Sequence, residues 1–224
     1  MTGLLQDFDA APLALTLRVA FFATLLALVA GVALGWLFAR TRLPGRGLLE
    51  ALCMLPLVLP PTVIGFGLLV LMGRQGPLGA WLREHFDYSV IFHWHGAVIA
   101  SALVALPLVL MSASSAFAQV DQRLEQAART LRQGRWSVFL RVTLPLAWPG
   151  ILAGTLLAFA RAMGEFGASL MVASSIPGQT QTAAMAIYDF VHAGRDDLAL
   201  VMSVALSAVS VVILLLAKRL LQRP

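Results

Sequence analysis

Charged residues are scarce in this sequence. Of its 224 residues, 12% are Asp, Glu, Lys or Arg, whereas 59% are hydrophobic, and the mean hydropathy is +0.85. So small a share of charge argues against a soluble globular domain and favours an integral membrane protein. The single cysteine, Cys53, excludes a disulfide framework. The net charge of +5 is spread over membrane-flanking segments, which argues against a nucleic-acid partner.

Motifs that carry enzyme chemistry are missing as well. The sequence has no Gly-rich phosphate loop with its Lys, no Gly-x-Ser-x-Gly, and no His and Glu at metal-ligand spacing. His93 and His95 lie two residues apart without a third ligand, so they read as interfacial residues. We therefore expect no enzyme, no metal and no cofactor on this chain. Energy for uphill transport would have to come from a partner or an ion gradient.

Apolar runs predict an all-α membrane protein of one domain, residues 1–224, with about five transmembrane helices. The runs lie at about 13–39, 48–73, 92–118, 148–172 and 197–218, and each reaches the roughly 20 residues that cross a bilayer. The N-terminus lacks the basic region of a signal peptide, so the first span is expected to be retained. Pro56, Pro60 and Pro61 must kink or break the second span. Either a packed structural kink or a pore-lining break fits this pattern.

Lys and Arg residues are distributed unevenly between the two sides of these spans. Eleven lie on one side, in the 40–46 segment, the 121–149 loop and the C-terminus, against three on the other, Arg74, Arg83 and Arg195. Because basic residues accumulate in cytoplasmic loops, the 121–147 loop and the C-terminus are predicted to be cytoplasmic and the N-terminus outside.

The fourth span contains the two charged residues Arg161 and Glu165. Four residues apart, they would share one face of a continuous helix and could pair. A structural ion pair and a functional group facing a water path both fit, since intramembrane charges are often functional. Gly164 and Gly167 beside them leave room for a neighbouring backbone.

The segment from Asp121 to Pro149 is the longest polar interval of the chain. Leu124, Ala127, Ala128 and Leu131 fall at i, i+3, i+4 and i+7, which predicts one apolar stripe on a short amphipathic helix that Gly134 interrupts. Five arginines accompany it. Periodicity alone fits a lipid-surface element and a docking surface for a soluble partner equally well.

This segment resembles the EAA loop of ABC-transporter permeases, in which Glu-Ala-Ala is followed by a Gly and later by an aliphatic residue and Leu-Pro. Here Gln126 occupies the Glu position, with Glu125 beside it, and Arg132 occupies the Gly position, so that Gly134 is an alternative for the turn. The resemblance implies coupling helices that dock on an ATP-hydrolysing subunit. The expected coupling residues are Glu125, Gln126, Ala127, Ala128, Arg132, Gly134, Val142, Leu144 and Pro145.

Three longer stretches, residues 55–79, 124–131 and 159–182, are similar to permease subunits of bacterial molybdate ABC importers. The resemblance implies the type I importer permease fold in the inner membrane and a homodimer with one path. It also implies two ATPase subunits that bind ATP-Mg, and a periplasmic oxyanion-binding protein. Within the path we expect Glu165 to neutralise Arg161 so that a dianion is not trapped. The path positions assigned on this basis are Pro60, Pro61, Thr62, Arg161, Glu165 and Ser169.

Three alternatives remain at this point. The GEFGA segment and the IPG loop are shared with sulfate permeases, so a sulfate or thiosulfate ABC permease is one, and tungstate is not separable from molybdate. An ion-coupled secondary carrier would use Arg161 and Glu165 as its relay, although no inverted repeat is visible. A membrane scaffold whose loop recruits a soluble partner is the third.

Overall fold

Long apolar helices make up the body of the molecule. The computed structural model describes residues 9–41 and 44–221, and every regular element in those two ranges is helical, which confirms the all-α prediction. Four helical stretches are long and apolar enough to span a membrane. They are α1 (Ala11–Arg40), α5 (Trp94–Gln119), the stretch Arg135–Met163 that ends in α8 (Leu144–Met163), and α11 (Asp196–Leu221), whose apolar part is Asp196–Leu215.

The second expected span is a bent pair of helices. α2 (Arg46–Val58) and α3 (Pro61–Met72) meet at an angle of 114°, with Leu59 and Pro60 between them. Leu59 is extended, as a residue before proline prefers, and Pro61 begins α3, where its missing N–H costs nothing. The helix is therefore broken at this point, and the role of the break as part of a pore lining stays a prediction. Among the described residues, four helical stretches and this bent pair are therefore long and apolar enough to cross a membrane.

The fourth expected span, 148–172, is also discontinuous, and the prediction of one helix through Glu165 is wrong. α8 ends at Met163, residues 164–166 leave the helix, and α9 (Gly167–Ala173) follows. Phe166 has φ −124° and ψ −58°, outside helical geometry. No proline lies between residues 150 and 176, so Gly164 and Gly167 were the only helix breakers that the sequence offered near residue 165.

Small residues allow α1, α5 and α8 to pack closely, as membrane helices do. Gly31 and Gly35 of α1 lie directly against Val109 and Ala113 of α5, so that an added Cβ would come within 2.8 and 2.9 Å of those side chains. Buried alanines of all three helices form the largest core cluster. α9 packs on α3 and α5, whereas α11 packs mainly on α10 (Ala183–His192). The core thus lies among α1, α5 and α8, with α11 at its edge.

Shorter elements complete the two ends of the bundle. At one end lie α4 (Pro77–Phe86) and α10, which is tied to α1 by the amide of Ala183 donating to Thr16 Oγ1 at 2.8 Å. At the other end lie α6 (Gln122–Thr130), α7 (Arg135–Val138) and a π-helical turn (Phe139–Thr143) that runs into α8. Arg42 and Arg223, counted in the charge asymmetry, lie outside the described residues, as does the side chain of Lys218.

The histidine pair before α5 is packed among aromatic side chains. His95 Nδ1 lies 2.7 Å from the hydroxyl of Tyr88, whose ring stacks on His93. Partial burial raises the pKa of Tyr88, which keeps its hydroxyl protonated and able to donate. Beside them the guanidinium of Arg18 lies 4.0 Å from the ring centre of Trp94, a cation–π contact. These contacts fit the interfacial role that the sequence predicts for both histidines.

Candidate functional site

The helix of the polar loop keeps its apolar stripe on the outside. Asp121 caps α6 by accepting the amide hydrogen of Arg123 at 2.8 Å, and α6 has no buried residue. Leu131, just beyond its last turn, is 75% exposed, and Leu124 is half exposed. The predicted stripe is therefore present, but no other part of the described chain covers it. A short helix without a buried face requires a partner surface or lipid to stabilise it.

The turn after α6 is made by Arg132. Its φ of +57° lies in the left-handed region that favours glycine, and this is the Gly position of the EAA pattern. Gly134, with φ −65°, instead precedes α7 as its N-cap residue. The suggestion that Gly134 serves the turn is therefore wrong. The loop therefore keeps the backbone geometry of the motif, although a residue with a side chain, Arg132, is strained in that left-handed conformation.

The Leu-Pro pair of the motif explains the π-helical turn that leads into α8. Pro145 has no N–H to donate and its ring would clash with the carbonyl four residues back, that of Arg141. The amide of Leu144 bonds to the carbonyl of Phe139, five residues back, which widens the turn ahead of the proline. Val142 lies half-buried within this turn. One helical rod thus connects the loop with the bundle.

Glu125 holds the loop onto two helices of the bundle. Its Oε1 accepts from Nη2 of Arg40, the last residue of α1, at 2.8 Å and from Oγ1 of Thr143 at 2.7 Å. Arg40 Nη2 also lies 3.3 Å from the carbonyl oxygen of Val120, at the end of α5. The Arg40 and Glu125 side chains are each only 12% exposed, so water screens this ion pair poorly. The sequence placed Glu125 beside the motif without showing what it binds.

The two broken spans meet at their breaks. An added Cβ on Gly167, the first residue of α9, would lie 3.1 Å from Cβ of Pro61, the first residue of α3. Gly65 of α3 lies equally close to the backbone of Ala168. Such contacts leave no room for larger residues. The predicted path residues Pro60, Pro61 and Thr62 are therefore brought to the α8–α9 break, which holds Glu165.

Arg161 and Glu165 pair as predicted, but across the break rather than along one helix. Arg161 Nη1 lies 2.8 Å from Glu165 Oε2, although no guanidinium N–H points at that oxygen, so the contact is electrostatic rather than a directed hydrogen bond. Glu165 Oε1 accepts the amide hydrogen of Ala168 at 2.9 Å. The carboxylate is 1% exposed and the Arg161 side chain 33%. Glu165 therefore both caps α9 and compensates the charge of Arg161.

The predicted path residues differ in accessibility. Pro60 and Thr62 are exposed, Pro61 and Arg161 are partly exposed, and Glu165 is buried. Ser169 is buried as well, with its hydroxyl oxygen 3.3 Å from that of Ser101 and 3.5 Å from the carbonyl oxygen of Ala97. In this conformation Ser169 contributes to packing of α9 on α5 and borders no open space.

A cavity between α5 and α8 was missed by the sequence reasoning. It measures about 830 Å³ and opens beside the start of α6, with Ser112, Ser115, Gln119 and Gly150 in its wall. Ser112 also packs on Gly154 of α8, where an added Cβ would come within 2.4 Å of its Cβ. The sequence signal that could have indicated it is the serine-rich face of α5 together with Gly150 and Gly154, four residues apart on α8.

Comparisons with known proteins agree with this architecture. Residues 13–224 match the family described as binding-protein-dependent transport system inner membrane component. The chain is 44% identical to the molybdenum transport system permease protein ModB of Escherichia coli strain K12, over 94% of this chain and 93% of that protein. It is 37% identical to the sulfate transport system permease protein CysT of the same strain, over 77% of this chain and 62% of that protein.

A solved structure shares the fold. A chain of the MetNI methionine ABC transporter in an inward-facing conformation superposes with a TM-score of 0.72 at 17% identity, covering 94% of this chain and 93% of that one. These matches confirm the resemblance drawn from the sequence and the importer permease fold. The chain belongs to the family of inner membrane components of binding-protein-dependent transport systems.

Proposed function

We propose that this chain is the permease subunit of an ATP-driven importer of molybdate, with tungstate as a congener. The observation that carries the proposal is the α6 loop, whose apolar face is uncovered while Glu125 anchors its other face to α1 and to the start of α8. An uncovered apolar face and a firm anchor together suit a surface that binds a soluble partner and transmits that partner's conformational change to the membrane helices. The 44% identity with a molybdenum permease over almost the whole chain supports the substrate.

The partner on the loop is a separate ABC ATPase subunit, and ATP-Mg binds there rather than on this chain. Leu124, Ala127 and Leu131 offer an apolar contact in which the small Ala127 permits close approach, and Arg123 and Arg132 lie at its rim. The excess of arginine around the loop supports its placement on the cytoplasmic side, with the N-terminus outside. ATP is available on that side.

The remaining partners are a second copy of this chain and a periplasmic oxyanion-binding protein. The bent pair α2–α3 supports the homodimer, since α2 buries no residue within one chain. A transport path formed between two copies would contain two Arg161–Glu165 pairs and the Pro60–Thr62 segments. Arg161 lowers the cost of an anion in the membrane, and Glu165 keeps the site from holding it too tightly.

Sulfate or thiosulfate is the second candidate substrate, because the GEFGA segment is shared with the sulfate permeases. The lower identity with CysT, and the smaller share of that protein that is matched, favour molybdate. Competition for uptake separates the two, since a sulfate system would take up radiolabelled sulfate in the presence of equimolar molybdate. Family membership argues against the ion-coupled carrier and the scaffold.

The experiment is ATP hydrolysis by the chain reconstituted with its ATPase, with and without a molybdate-loaded binding protein. Hydrolysis is expected to rise with the loaded binding protein, and Ala127→Leu with Ala128→Leu should abolish that rise because bulk separates the docked surfaces. Ala11→Leu is the control, since Ala11 is exposed like Ala127 but lies at the end of α1 that is away from the loop. A rate that ignores both the binding protein and the loop variants would refute the proposal.

A further inference from the structure

A second cavity, separate from the docking face, lies between the C-terminal end of α1 and the α6–α7 turn. Its volume is about 560 Å³. Its walls combine aromatic rings with positive charge, contributed by Trp36, Trp136 and Phe139 and by Arg40, Arg129 and Arg135. Glu125 is the only acidic residue among those lining it. A pocket of this composition suits a ligand with an anionic head and an apolar body.

The protein neutralises only part of the positive charge in this cavity. Glu125 is already engaged by Arg40 and Thr143. Arg129 and Arg135 are exposed, and neither makes a salt bridge with any acidic residue in the parts of the chain that the structure describes. Guanidinium groups bind phosphate oxygens in a bidentate manner, which makes two unpaired arginines a suitable phosphate site.

The surroundings of the cavity favour a phospholipid over a free ion. It lies where α1 leaves its apolar stretch, and Trp36 is one turn before Arg40, the last residue of the helix. Trp136 is 74% exposed and Leu140 more than half exposed. Tryptophan and uncovered apolar side chains beside arginines are typical of the membrane–water interface, where acyl chains can cover them.

We propose that this cavity binds the phosphate group of an anionic phospholipid of the cytoplasmic leaflet, with Arg129 and Arg135 as its ligands and Trp136 against the glycerol and upper acyl region. The proposal rests on the cytoplasmic position of the loop given under the proposed function. The cavity-lining face of α6, formed by Gln122, Gln126 and Arg129, is opposite the docking face at 100° per residue. Lipid and ATPase therefore contact α6 from different sides, and the lipid would orient the loop for docking.

Binding of phosphatidylglycerol to the full-length chain in zwitterionic micelles, followed by native mass spectrometry, tests this. Phosphatidylglycerol should be retained and phosphatidylcholine should not. Because one basic residue near a membrane surface contributes about fivefold in affinity, Arg129→Gln should weaken binding about fivefold, and Arg129→Gln with Arg135→Gln roughly 25-fold. Arg123→Gln is the matched control, since Arg123 is exposed on the same helix but does not line the cavity.

Undiminished phosphatidylglycerol binding by the double variant would overturn the proposal. Release of the lipid by millimolar inorganic phosphate or molybdate would overturn it as well, by showing that the occupant is a free oxyanion. A membrane-impermeant maleimide tests the loop position separately, on Gln133→Cys and Gln75→Cys in a Cys53→Ala background. Labelling of position 133 from outside would refute the proposed orientation of the loop. If position 133 is protected but the double variant still binds the lipid, the orientation stands and only the lipid site is refuted.

Discussion

Replacing Glu125 by glutamine is expected to loosen the loop from the membrane helices. The substitution keeps the size of the side chain and an oxygen that can accept from Thr143, but removes the negative charge opposite Arg40. Arg40 would then retain the carbonyl of Val120 as its acceptor, at 3.3 Å. The loop would open more often, while the helices of the bundle stay packed.

The free-energy loss expected for Glu125→Gln follows from the burial of the Arg40–Glu125 pair. At 12% exposure on both sides, the pair lies closer to the buried limit, where losing one partner costs about 3–5 kcal/mol, than to the surface limit of about 0–1 kcal/mol. Since glutamine still accepts a hydrogen bond, we expect a loss of about 2 kcal/mol. At about 1.4 kcal/mol per tenfold, local opening should become roughly 30-fold more frequent.

Hydrogen–deuterium exchange of residues 122–143 measures that opening directly. The control is Glu50→Gln, which removes a partner from Arg46 at the same 2.8 Å separation, but in a pair whose side chains are 40% and 35% exposed. An exposed i,i+4 pair contributes about 0.5 kcal/mol at most, so exchange in α2 should change about twofold. Equal, small changes in both variants would refute the argument that burial gives the Glu125 pair its strength.

Further substitutions test the loop turn, the packing of α8 and the charged break. Arg132→Gly should slow loop exchange, with a gain of up to about 1 kcal/mol because the left-handed strain is relieved, whereas Gly134→Ala should change it little. Gly154→Ala should lower the free energy of unfolding in detergent by about 1–3 kcal/mol, because the added methyl group overlaps with Ser112 of α5. Gly67→Ala, which has open space around it, should raise that free energy by about 0.5–1 kcal/mol. Glu165→Gln should slow molybdate uptake with assembly intact, because an uncompensated arginine retains the dianion; unchanged uptake would contradict this role.

Much of the fold could be predicted from hydropathy, because three spans are uninterrupted apolar runs. The expected ranges 13–39, 92–118 and 197–218 correspond to helices at Ala11–Arg40, Trp94–Gln119 and Asp196–Leu221. The prolines predicted a disturbance of the second span, but neither its 114° bend nor the close contact of α3 with α9. A contact between elements 100 residues apart has no trace in local composition.

The site was predicted in part, for the same reason. The EAA pattern located the loop and the position of its left-handed turn, at Arg132, whereas the alternative at Gly134 rested only on the better fit of glycine to such a turn. The partners of Glu125 could not be read, since Arg40 precedes it by 85 residues. The break at residues 164–166 was hidden because Glu165 caps α9 with its own carboxylate, a role that only the folded backbone reveals.

From the arrangement of these features we infer that α8 links the loop mechanically to the charged break. Its 20 residues extend about 30 Å, from Leu144 beside the Glu125 anchor to Met163 beside the charged break. α9 beyond the break is fixed on α3 through Gly65 and Gly167, where close backbone contact resists sliding. We expect a displacement of the loop that moves Thr143 to be transmitted along α8 to residues 164–166, where the backbone leaves the helix. Such a movement would change the geometry of the Arg161–Glu165 pair, because Arg161 is on the rod and Glu165 is on the break.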